Sequence, residues 1–100
     1  MLTILDGSPP PPRAYRVPWH VDRSDARHPR VANMAPEPAD LVRAFIMDDA
    51  SPPASEHWGL VLPSEVCELC LCDRDLASAI VSLAWFRPGD DAEYLWRFSL

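Results

Sequence analysis

Proline limits what this chain can fold into more than any other residue. Twelve of its 100 positions are proline and only three are glycine. Each proline fixes φ near −65° and removes a backbone donor, so the connections are stiff and part of the chain is irregular. A chain of this length buries about two-thirds of its unfolded surface, which leaves room for one core.

The front of the chain shows the constraint most strongly. Residues 1–5 are a short apolar run with strand character, stopped by Asp6-Gly7-Ser8 and by Pro9 to Pro12, which predict a polyproline II segment. Residues 13–21 contain Ala14, Tyr15, Val17 and Trp19, and Pro18 restricts any strand there to a sheet edge or a bulge. Residues 22–38 show no periodicity and read as a long loop, a class usually either functional or disordered.

Beyond residue 38 the apolar content rises. Residues 40–47 place Leu41, Val42, Phe45 and Ile46 on one helical face, yet their length and β-branching fit a buried strand equally well. Residues 48–56, with Pro52-Pro53, read as a loop, and residues 57–62 as a strand ended by Pro63. Ser64 can cap a short helix through Cys72. Asp73 can cap a second helix, in which Leu76, Ala79, Ile80, Leu83 and Ala84 recur at three and four residues until Pro88-Gly89. Near the end, Tyr94, Trp96 and Phe98 alternate as in a strand, although Asp90 and Glu93 also fit a capping box. These readings predict a small single α+β domain: a short antiparallel sheet, two helices in the C-terminal half and an irregular Pro-rich N-terminal third. Residues 1–38 are expected to form an irregular Pro/Arg-rich arm with one or two short strands, and residues 39–100 a compact acidic core.

Charge is divided unevenly. Residues 1–35 hold five arginines against Asp6, Asp22 and Asp25, for +2; residues 36–100 hold four arginines against twelve carboxylates, for −8, and the two give the net −6. Such a surface repels nucleic acid directly and is drawn to a basic protein surface. Acidic groups at helix starts also serve simply as caps and solubilising charge. Asp48, Asp49, Glu56, Asp90, Asp91 and Glu93 fall in expected loops or element starts, and Trp58 follows an acidic loop, so these seven residues are the candidate partner-binding set. Tryptophan and arginine dominate interface hot spots. Trp85 is expected in the core.

No catalytic constellation emerges. The chain has no G-x-S-x-G, no phosphate loop, no G-x-G-x-x-G and no H-E-x-x-H, and His20, His28 and His57 occur without a partner at a telling spacing. No residue is assigned a catalytic or metal-ligating role, no cofactor is expected, and the chain reads as a non-enzyme. The three cysteines, Cys67, Cys70 and Cys72, contain one C-x-x-C. Interleaved with Val66, Leu69 and Leu71 they suit core packing, and on a helix Cys67 and Cys70 share a face while Cys72 points elsewhere. A zinc-stabilised module using this cluster, and perhaps His57, is the alternative. The odd cysteine count excludes a complete intramolecular disulfide set, so reduced thiols are expected.

No stretch reaches the roughly 18 apolar residues of a membrane span, and the first 20 residues lack a leader pattern, so the expectation is a cytoplasmic protein with no membrane contact. The functional expectation is a small inhibitor or adaptor that docks an acidic surface on a basic protein partner, occluding a nucleic-acid-binding site. Viral and mobile-element inhibitors, including anti-CRISPR proteins, and antitoxins share this size and charge. A subunit of a larger complex, with its proline-rich front ordered by neighbours, is the other alternative.

Overall fold

The computed structural model describes residues 15–100, so the expected strand at 1–5 and the polyproline segment at 9–12 lie outside the described residues. Seven strands follow in order: β1 (Trp19–Asp22), β2 (Arg30–Asn33), β3 (Ala39–Met47), β4 (Ala54–Val61), β5 (Val66–Glu68), β6 (Ile80–Phe86) and β7 (Glu93–Ser99). They form two antiparallel sheets, one in the order β1-β2-β5 and one in the order β4-β3-β6-β7.

The sheets share one core. Trp19, Val21 and Val31 from the smaller sheet, with Leu69 and Leu71 just beyond β5, meet Val42, Ala44, Ile46, Val81, Leu83, Trp85 and Phe98 from the larger one. Trp19 packs edge-on against Trp85 at 5.6 Å, a favoured aromatic geometry. The buried side chains alternate along the strands because a pleated strand turns successive residues to opposite faces.

The expected α+β class is overturned: among the described residues there is no helix. The helix read from Asp73 through Ala84 is a turn-rich segment followed by β6. Asp75 accepts hydrogen bonds from the Ala77 amide (3.2 Å) and the Ser78 hydroxyl (2.9 Å), and such local bonds compete with helix formation. Ile80 to Phe86 then pairs with β3 on one side and β7 on the other. The helix read from Ser64 to Cys72 is also absent. Ser64 adopts φ 69°, outside the helical region, and residues 66–71 run extended beside β2 and the residues just before it. Residues 40–47 resolve within strand β3; the strand read at 57–62 is β4, which ends at Val61 and begins at Ala54, inside the expected 48–56 loop, and the strand read at 94–98 lies within β7. Part of the expected long loop at 22–38 is β2. The N-terminal third is thus not irregular throughout: β1 and β2 supply part of the core.

One irregularity bends the larger sheet. The β3–β4 register shifts around Leu41, which has φ 50°, opposite Gly59 at φ 69°. This is a β-bulge, which increases the local twist of the pair.

Candidate functional site

The most chemically distinctive cluster lies on the outer surface of the smaller sheet. The β2–β5 pairing matches Arg30 with Glu68 and Val31 with Cys67. It continues past β5, because the Leu69 amide donates to Pro29 O (3.0 Å) and the Leu71 amide to Arg27 O (2.7 Å). The extended chain sends Leu69 and Leu71 fully into the core and therefore turns Cys70 and Cys72 outward together. The same register sets His28 across from Cys70. The result is a group in which Cys70 Sγ and Cys72 Sγ are 3.2 Å apart and Cys72 Sγ is 3.3 Å from His28 Nε2.

Two further side chains hold this arrangement. Asp25 Oδ2 lies 3.1 Å from His28 Nδ1, directing the other ring nitrogen at the sulfurs. Arg27 Nη1 donates to the carbonyls of Leu71 (3.2 Å), Cys72 (3.3 Å) and Arg74 (3.0 Å), which pins the cysteine loop. Asp25 and His28 favour each other's charged forms through their hydrogen bond, lowering the carboxyl and raising the imidazole. The Cys72 amide, the Cys72 thiol and His28 lower the Cys70 thiol, and the interaction with Cys70 raises Cys72. Cys67 stands apart: half-buried on β5, it is raised by burial and by the nearby Glu65 and Glu56 carboxylates.

The candidate partner-binding residues do not form one patch. Asp48 and Asp49 follow β3 at one end of the larger sheet, whereas Asp90, Asp91 and Glu93 lie at the other, since Met47 pairs with Ile80 and Phe86 with Glu93. Ile80 and Phe86 are six residue steps apart along β6, a span of about 20 Å. Several are also engaged internally. The Asp48 side chain is fully enclosed; it accepts from the Ala50 and Ser51 amides (2.7 and 2.8 Å) and from Arg74 Nη1 (3.1 Å). Burial opposes its ionisation, but the Ala50 amide, Arg74 and the Ser51 amide outweigh this and hold the carboxyl low. Asp90 accepts from Tyr94 Oη (2.5 Å), and Glu93 bridges Arg43. Trp58 packs against the core, its Nε1 donating to Glu56 at 3.4 Å. Asp49 and Asp91 are exposed and make no ion pair among the described residues.

Sequence reasoning missed His28 and Asp25 because both sit in a segment without periodicity. The Leu69-Cys70-Leu71-Cys72 alternation was the signal for an extended chain with paired outward thiols. No helix of the described residues is long and apolar enough to cross a membrane. No family model matches the chain, and neither does any curated protein or solved structure.

Proposed function

We propose that this protein is a small non-enzymatic inhibitor or adaptor that docks on a basic protein partner, covering that partner's nucleic-acid-binding site. The observation that supports it is the unequal use of charge at the end of the molecule formed by residues 48–53 and 69–78. There two arginines are engaged within the chain: Arg27 serves three carbonyls, and Arg74 serves Asp48 and Pro52 O (2.6 Å), while Arg97 lies exposed beside Asp49. The carboxylates of Asp49, Asp73 and Asp75 face solvent, and Ser51 Oγ ties the two loops together through Asp73 O (3.2 Å). A predominantly acidic rim of this kind steers oppositely charged partners and raises association rates.

The test is a tagged pull-down from nuclease-treated lysate with low- and high-salt washes, run beside the double variant Asp49→Lys, Asp73→Lys. Both side chains are exposed, so the variant's stability stays within about 0.5 kcal/mol of the parent. A basic nucleic-acid-binding protein held by the parent, released at high salt and not held by the variant supports the proposal. Equal capture by parent and variant refutes it.

A further inference from the structure

We infer that His28 Nε2, Cys70 Sγ and Cys72 Sγ form a zinc(II) site with an open fourth position, a site that borders the acidic docking rim but rests on its own donor atoms rather than on that reading. The three donor atoms lie within 4.8 Å of one another. Bonds of about 2.3 Å to sulfur and about 2.1 Å to nitrogen in a tetrahedron set donors about 3.6–3.8 Å apart. The observed separations of 3.2 and 3.3 Å therefore reach that geometry with an opening of about 0.5 Å, which exposed side chains on a loop accommodate.

Three features select this ion. Two thiolates and one neutral imidazole are soft and borderline donors suited to zinc rather than to magnesium or calcium. Two negative sulfurs are neutralised by a divalent ion, whereas a monovalent ion leaves excess negative charge beside Asp25 and Asp73. The second shell is already built: Asp25 accepts the Nδ1 proton of His28 at 3.1 Å, which fixes the tautomer with a free lone pair on Nε2, the carboxylate-histidine arrangement found behind zinc ligands. Arg27 fixes the backbone at Leu71, Cys72 and Arg74. The sulfurs also line a hollow of about 380 Å³ with Ser51, Pro52, Asp73 and Arg74, so a water or an exogenous donor has room to complete the coordination. Binding releases the two thiol protons.

Cys67 and His57 are not members. Cys67 points toward the core side of β5, and His57 lies on β4 in the other sheet. This separates the site from a ligand set drawn on the C-x-x-C spacing.

The experiment uses the full chain, reduced and stripped of metal, titrated with zinc(II) against a chromophoric chelator and with cobalt(II) followed by absorption. One ion per chain is expected, with thiolate-to-cobalt charge transfer and the intense ligand-field bands of tetrahedral cobalt. Cys70→Ser and Cys72→Ser each weaken zinc by more than about 100-fold and Asp25→Asn by about tenfold, since loss of an outer-shell partner alone costs 10–100-fold. Cys67→Ser binds like the parent. Thermal unfolding of each metal-free variant verifies that its fold is intact. Substoichiometric zinc, absence of thiolate charge transfer in the parent, or equal weakening by Cys67→Ser and Cys70→Ser overturns the assignment.

Discussion

Asn33 offers the sharpest test of how the two sheets are held in register. It is a buried polar side chain, 0% exposed at the end of β2. Its Nδ2 donates to Val61 O at 3.1 Å and to Glu37 O at 3.0 Å, and its Oδ1 accepts from the Ala35 amide at 3.0 Å. Val61 belongs to β4, so this amide clamps the smaller sheet to the larger one and shapes the β2–β3 connection. Asn33→Ala removes all three bonds. At roughly 1 kcal/mol for each bond left unmade, the cost is about 3 kcal/mol. For a domain of this size that lowers Tm by about 12–24 °C. Asn33→Asp keeps the shape but sets a carboxylate against two carbonyl oxygens, and at pH 7 it is destabilised at least as much. The assay is urea unfolding followed by tryptophan fluorescence, reported by the buried Trp19 and Trp85. The slope m is expected to stay constant while the midpoint falls. If either variant lies within about 1 kcal/mol of the parent, the clamp is not what couples the sheets.

Two further outcomes follow from the core and the turns. Trp85 is 2% exposed and donates through Nε1 to Tyr15 Oη at 3.2 Å; Trp85→Ala is expected to cost about 3–5 kcal/mol in the same unfolding assay, through the cavity it leaves. Asp48 is held below its ordinary pKa in the folded state, so its contribution is present above the unfolded value and is lost as pH falls through the folded one. Stability measured by denaturant from pH 5 to pH 2 should therefore decline less steeply in Asp48→Asn than in the parent, and parallel curves would contradict this.

The sequence by itself determined some of the turns and part of the core. The Pro52-Pro53 loop, the Pro88-Gly89 turn, the alternation in β7 and the burial of Trp85 were all legible, because they rest on local dihedral limits and side-chain hydrophobicity. The choice between helix and strand was not. Leu76, Ala79, Ile80, Leu83 and Ala84 carry helical spacing, but Val81, Leu83 and Trp85 alternate in the same stretch, and the alternation prevails once β3 and β7 supply backbone partners on both sides. Residues 64–72 show the same effect. A helix there sets Cys67 with Cys70, whereas pairing with β2 sets Cys70 with Cys72 and buries Leu69 and Leu71. The cysteines were visible from the start, but their partner was not: His28 lies 44 residues from Cys72, and only the register of an antiparallel pair, closed through backbone bonds between distant segments, brings the imidazole to the sulfurs.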